Sequence, residues 1–450
     1  MSEQTNIRNN FYESDVYLIL IGITALLAWF FKVPSIAMVL FAVVVLIISF
    51  TQDSLIGFLP ILGVLNFIFP ETSNIVNIYN AIAMVLLLGS VIFGSILLMR
   101  KRKLSVKFSP AIIGLVGLFI ATFIGGITTT GHIGSTVWFM GIGTTGSMVI
   151  LFFIASQTVR KYNPLYTAKI CVIIALLMLA QVWISYLKTD NLVEVIMSKT
   201  LKLGWGENNH AAFLLLFTIP FVLYAMVKSD HFSFLYCGLF FLCALTMVSL
   251  LARASLLALA VCILPMTVYA LRSSRHPILN LIFTLVFAVG IITIVFTLLG
   301  DYITTITNGF SALGVSDSGR YALWRSGWTI FSSSNPIWGS GYGYGSTLNL
   351  AVRYYFLWYH NDYLQVLSNM GILGLVMFLI HMVQRFYYAT LKMTKFTVAV
   401  VWNLVLTSIY GFLDITYFGP YFLAPMLVIF LTSVLSTSTE VVTPEHELVN

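Results

Sequence analysis

Apolar stretches about as long as a bilayer-crossing helix recur along nearly the whole chain, separated by short polar links. They predict spans at about 16–31, 35–50, 54–69, 79–99, 111–127, 134–155, 168–187, 210–227, 232–251, 254–271, 278–299, 362–380, 396–412 and 420–435. That is about fourteen crossings, or about twelve if two of the short early runs do not cross. A membrane β-barrel would alternate apolar and polar residues in short segments instead. The pattern therefore predicts an all-α polytopic membrane protein. Composition agrees: 59% of residues are hydrophobic and 9% charged, whereas a soluble domain carries roughly a quarter charged residues.

Charge adds orientation. The basic clusters are Arg100 to Lys103 with Lys107, Arg160-Lys161, Lys228, Arg272 with Arg275, and Arg385 with Lys392 and Lys395; each follows an even-numbered predicted span. The positive-inside rule makes these loops cytoplasmic and puts both termini inside. The net charge of +7 is then a topology signal rather than a footprint for nucleic acid. The first fifteen residues are net acidic and lack the basic start of a cleaved signal peptide, so the first run reads as a retained helix. Cys171, Cys237, Cys243 and Cys262 all fall inside apolar runs, without metal-ligand spacing, and read as small core hydrophobes.

This organisation divides the chain into N-terminal transmembrane helices (1–205), a second transmembrane region (206–435) that includes a large extracytoplasmic loop (301–358), and a polar cytoplasmic tail (436–450). No internal repeat is evident. A long loop with its own sequence character is more often functional than a passive connector. Within it, Asp317-Ser318 and Asn335-Pro336 bracket a predicted helix in which Tyr321, Trp324, Trp328 and Phe331 recur at helical spacing. The aromatic face predicts a helix on the outer leaflet. Gly339 to Gly345 then suit tight turns, either a flexible link or a close approach to a ligand.

Eight basic residues fall on the extracytoplasmic side: Lys32, Lys188, Lys199, Lys202, Arg253, Arg320, Arg325 and Arg353. From 250 to 358 every one is Arg, whose planar fork grips phosphate oxygens in pairs. Arg253 interrupts the apolar SLLARASLLAL, where a charge is costly and hence a candidate functional group. Arg320 adjoins Trp324 on one helical side, while Arg325 also suits headgroup anchoring. His360 opens HNDYLQVLSNMGILG, where the loop enters a span. Imidazole there can accept a hydroxyl proton near neutral pH, or cap the helix. Asp301, Asp317, Asp362 and Asp414 are isolated in sequence, so no acidic pair for a metal is visible.

Four stretches together resemble the O-antigen ligase and Wzy-type polysaccharide polymerase superfamily: NNHAAFLLLFTIP from Asn208, SLLARAS around Arg253, GRYALWRSGWTIFSSSNPIWGSGYG from Gly319, and HNDYLQVLSNMGILG from His360. The likeness covers about 205–380. The usual Ser-Arg pair is Ala252-Arg253 here, and an acidic residue common before the downstream glycine is replaced by Asn369-Met370. The resemblance implies a GT-C-like, metal-independent glycosyltransferase without cofactors in the bacterial cytoplasmic membrane, with its active site facing outside. Its donor would be an oligosaccharide on undecaprenyl diphosphate. Carried over by position, Arg253 and Arg320 would hold the diphosphate and His360 would activate the acceptor hydroxyl, with Arg325, Arg353, Asn361 and Trp324 lining the substrate. A capsule, exopolysaccharide or O-antigen polymerase is the leading expectation. A ligase acting on a lipid core or protein is its neighbour, and a lipid-linked glycan flippase is the alternative of another class. A flippase and a chain-length regulator are the partners such a polymerase would have.

Overall fold

A computed structural model of the chain describes residues 11–70, 77–101, 109–128, 139–158, 163–229, 233–298, 319–341 and 359–416. Its helices are α1 (Asp15–Phe30), α2 (Pro34–Thr51), α3 (Phe58–Val64), α4 (Ile78–Lys101), α5 (Ile113–Ile124), α6 (Ser147–Thr158), α7 (Pro164–Leu187), α8 (Leu192–Ser198), α9 (Asn208–Lys228), α10 (Ser233–Ser249), α11 (Arg253–Ser273), α12 (Pro277–Leu298), α13 (Arg320–Ser333), α14 (Asp362–Thr390) and α15 (Lys395–Leu413). Among the described residues there is no strand, only two isolated bridges.

Among the described residues, eight helices are long and apolar enough to cross a membrane, and five shorter apolar helices accompany them. In order they correspond to the first thirteen predicted runs; the run 420–435 lies outside the described residues, as do Arg353 and most of the loop 301–358. The protein is thus an all-α polytopic membrane protein. Large apolar side chains such as Ile82, Val85, Val261, Leu264 and Val289 point outward from the bundle. A helix in lipid leaves its apolar surface exposed in this way, because hydrocarbon solvates it.

The central pillar is α9, buried along almost its whole length and packed against α7, α10, α11 and α15. Pro220 sits inside it, which removes one backbone donor and crowds the carbonyls a turn earlier. Asn403 of α15 donates its side-chain amide to the Phe217 carbonyl at 2.7 Å. A partner helix thereby supplies a donor beside the break, in a bilayer that offers no water.

A second, smaller core joins α5 and α6 to α14 through Leu115, Leu118, Met148, Phe152, Val366, Met370 and Phe378. Here the expected span 362–380 is not one helix. The chain reverses at Gly371 (φ 68°, ψ −164°), so that a short limb, 362–370, folds against a long limb, 372–390. The rings of Tyr363 and Phe378 lie 5.5 Å apart; in a straight helix, residues fifteen apart are separated by about 22 Å. Asn369-Met370-Gly371 reads as uninterrupted helix in a hydropathy profile, and only the glycine makes the reversal possible.

A reversal leaves orphan amides and carbonyls at both helix ends. The segment 336–341 meets them with its own backbone. Ile372 and Leu373 donate to the Pro336 and Ile337 carbonyls, while Ser340 and Gly341 donate to those of Ser368 and Asn369, all at 2.8–3.0 Å. Gly126 donates to Trp338 in turn. The start of the glycine-rich stretch is a clasp over the apex; positions 342–345 lie outside the described residues.

The bundle has two distinct ends. Lys169 pairs with Asp15 at 2.7 Å, Lys101 with Asp53 at 3.6 Å, and Lys395 binds the Ser273 carbonyl at 2.7 Å. Together with Lys228, Arg272, Arg275 and Lys392 these form a basic end, as the charge pattern predicts. Arg385 is an exception: it is buried inside α14, where it lines a small cavity with Asp362, Tyr363 and Thr416. The reversal folds it into the bundle.

Candidate active site

The opposite end gathers the other group of side chains around one carboxylate. Asp414 ends α15, its amide hydrogen-bonded to the Tyr410 carbonyl at 2.8 Å. Its Oδ1 accepts from His360 Nδ1 at 2.7 Å and from the Ile415 amide at 2.9 Å. Its Oδ2 accepts from Arg320 Nη2 at 3.1 Å and from Asn209 Nδ2 at 3.3 Å. A carboxylate at a helix C-terminus faces the negative end of the helix dipole. The cations and amides around it supply what that position lacks.

Burial pulls the Asp414 carboxyl upward, yet the hydrogen bond from His360, followed by the charges of His360 and Arg320, outweighs it and holds the group below the ordinary carboxylate range. Its side chain is 8% exposed, against 21% for Arg320 and 37% for His360. The acid is thus hidden while its two partners are partly exposed. Because a carboxylate takes the Nδ1 hydrogen, the imidazole presents Nε2 as its basic nitrogen.

Each group is held by its surroundings. His360 adopts a left-handed backbone (φ 50°) just ahead of α14. Segment 359–363 is fastened to 412–416 on both sides of it. Asn361 donates to the Phe412 carbonyl at 2.9 Å, the Tyr363 ring stacks on Phe412 at 4.0 Å, and buried Asp362 accepts from the Thr416 amide at 3.1 Å and from its hydroxyl. Arg320 opens α13 after Gly319, which has a left-handed φ of 75°. That helix rests on the short limb of α14 through buried Gly327, where an added Cβ would meet Leu364 and Tyr359 at 3.0–3.1 Å.

Arg253 begins α11 after a tight turn in which Leu251 has φ 49°. The turn is bound by Asn208, which donates to the Leu250 carbonyl at 3.3 Å, and by the Tyr186 hydroxyl, which donates to that of Ser249 at 3.3 Å. Arg253 and Arg320 share surroundings at this end. Both repel the ammonium of Lys199, which burial and then those two charges push below the ordinary lysine range.

Of the expected residues the structure brings together Arg320 and His360, through Asp414. Arg325 has its side chain exposed along α13. Asn361 caps α14, accepting from the Leu364 amide at 2.9 Å while its amide group binds Phe412, so both ends of the side chain are used by the fold. Trp324 lines an open apolar groove with Trp328, Asn361, Tyr363, Leu364, Leu367 and Leu375. The aromatic face of α13 is divided: Tyr321 and Trp328 are exposed, Trp324 and Phe331 half-buried. The helix ends at Ser333, just before the predicted Asn335-Pro336; Asp317-Ser318 lie outside the described residues.

Sequence reasoning named Asp414 only as an isolated acid and gave Asn209 no role. The available signal was a lone acid just beyond an apolar run, in YGFLDITYF, where a charge at the membrane edge requires a partner. Among the described residues no three His, Cys, Asp or Glu side chains form a metal-binding group.

Compared with protein families, residues 238–379 match O-Antigen ligase. The match contains Arg253, Arg320 and His360, while Asp414 and Asn209 lie outside it. No curated protein matches the chain.

Proposed function

From a chain whose residues 238–379 belong to the O-antigen ligase superfamily, a group of glycosyltransferase-like membrane enzymes, we propose a polymerase that moves a glycan from undecaprenyl diphosphate to an acceptor sugar hydroxyl outside the cytoplasmic membrane. One observation carries this reading: Arg320 and His360, far apart in sequence, share the buried carboxylate of Asp414. Glycosyl transfer from a diphosphate requires a base for the entering hydroxyl and cations for the departing anion, and this arrangement sets one beside the other.

In the proposed step His360 Nε2 takes the acceptor hydroxyl proton as that oxygen bonds to the anomeric carbon. The bond between that carbon and the phosphate oxygen breaks, and its electron pair leaves on the lipid diphosphate. Arg253 and Arg320 stabilise the charge that develops there, which fixed donors do well because they need no reorganisation. Asp414 holds the imidazole in the required tautomer and balances the imidazolium that forms. No residue need bind a metal for this sequence of events.

The test is transfer by purified protein given a lipid-diphosphate-linked repeat unit. Formation of longer lipid-linked glycan supports a polymerase. Transfer only when a lipid core or protein acceptor is added makes the protein a ligase. Translocation into vesicles without any new glycosidic bond removes the enzyme reading altogether. Orientation is tested separately. The four native cysteines are buried, so labelling of Lys202→Cys by an impermeant maleimide in intact cells, with Lys395→Cys silent until permeabilisation, is the expected result. The reverse pattern would overturn the outward-facing site.

A further inference from the structure

We propose that Asp362 is a positioning residue of this site, whose buried carboxylate fixes the register between the segment that carries His360 and the segment that carries Asp414. The inference rests on the transfer reading above, and gives a role to an acid that meets neither donor nor acceptor in that mechanism.

The two segments are joined with one offset. His360 reaches Asp414 and Asp362 reaches Thr416, each pair 54 positions apart. Asp414 leaves α15 with an extended backbone (φ −158°, ψ −175°), and residues two apart in extended chain project to the same side. Asp414 and Thr416 thus meet His360 and Asp362 as two successive rungs. The second rung is tied several times over: the Thr416 amide donates to both carboxylate oxygens of Asp362 at 3.1 Å, and the Thr416 hydroxyl donates to Oδ2. A slip of one residue would break both rungs together. His360 needs such an anchor, because a left-handed backbone like its own (φ 50°) persists only where the surroundings hold it.

The fold is shaped around this carboxylate. Asp362 is 1% exposed, and burying a carboxyl group is unfavourable unless hydrogen bonds and a cation answer it. Arg385, itself 3% exposed, lines the same small cavity together with Thr416, Ser408 and Gly411. Gly411 supplies the space: a Cβ there would stand 2.9 Å from Asp362 Oδ2, so a larger residue would push the carboxylate off Thr416. Buried ionisable groups add little stability over apolar residues of the same volume. What this one provides is the fixed geometry of the rung beside it. Burial also keeps Asp362 from the reacting atoms, so it acts through Asp414 and His360.

The experiment is a double-mutant cycle on glycan transfer by the detergent-purified full chain, with the undecaprenyl-diphosphate-linked glycan extracted from cells that lack the protein as donor. Asp362→Asn and Thr416→Val should each lower kcat by roughly 10–10²-fold, as misplacement of a reacting group does. KM for the donor should stay within about threefold, since only the chemical step is affected. Thr416→Ser keeps the hydroxyl and should restore kcat to within about threefold of wild type. In a His360→Ala background, Asp362→Asn should cost nothing further, because a residue that acts through His360 has nothing left to position. A merely structural lesion would multiply the two losses. Should Asp362→Asn fail to fold, Thr416→Val, which keeps the backbone donor, is read in its place. Wild-type kcat in the folded variants, or multiplied losses with His360→Ala, overturns the proposal and leaves the transfer reading intact. Absence of transfer by the wild-type protein overturns both.

Discussion

His360 and Asp414 are separated by 54 positions in the chain and by 2.7 Å between Nδ1 and Oδ1. The contact depends on the reversal of α14, which sets His360 beside the end of α15, and on the pairing of 359–363 with 412–416. Asp414 is buried, whereas His360 is partly open, so in the proposed transfer the carboxylate positions the imidazole and does not meet the substrate.

Asp414→Asn should therefore lower the rate of glycan transfer by on the order of 10²-fold, the lower range for loss of a positioned base. His360→Ala should cost at least as much. The double variant should be no worse than His360→Ala alone, because residues acting as one unit are not additive. Additive losses in a transfer assay would separate the two residues.

Arg320 and Arg325 occupy the same helix but differ in surroundings. Arg320→Ala should reduce transfer by roughly 10²–10³-fold, as removal of one preorganised donor to a developing anion does. Arg325→Ala should stay within about threefold of wild type, consistent with an exposed surface charge. Equal losses in the two variants would contradict the position of α13.

Gly371→Ala should destabilise the protein by at least about 2 kcal/mol, since a side chain at positive φ is strained and its Cβ would press on the Ile337 carbonyl and lie 2.6 Å from the Gly339 nitrogen. Gly339→Ala should act similarly, its Cβ lying 2.6 Å from the Gly371 nitrogen. Thermal melting in detergent measures both. A stable Gly371→Ala protein would argue against the reversal.

The carboxyl of Asp414 titrates lower in the folded protein than in an unfolded chain, where 3.8 is the reference value. A carboxylate of this kind contributes stability that is complete above the unfolded value and is lost as pH falls through the folded one. The difference in melting temperature between wild type and Asp414→Asn should thus be constant above about pH 5 and shrink below about pH 4. A difference that widens on acidification would reverse the sign.

The chain itself determined the class of fold. A helix must satisfy its backbone internally in lipid, so length and hydropathy suffice to find thirteen apolar helical runs in order, and the distribution of Lys and Arg suffices to separate the two ends. It also exposed Arg253, Arg320 and His360, because a charge amid apolar residues is conspicuous. Tertiary structure alone decided that Asp414 joins Arg320 to His360, that Asn361 is a cap, that Arg325 is exposed and that Arg385 is buried. Hydropathy is a local property summed along the chain, whereas a reversal depends on one backbone angle at Gly371 and on a clasp from thirty residues earlier. Ion pairing between residues on different helices leaves no periodic trace in sequence, since it is set by how the helices pack.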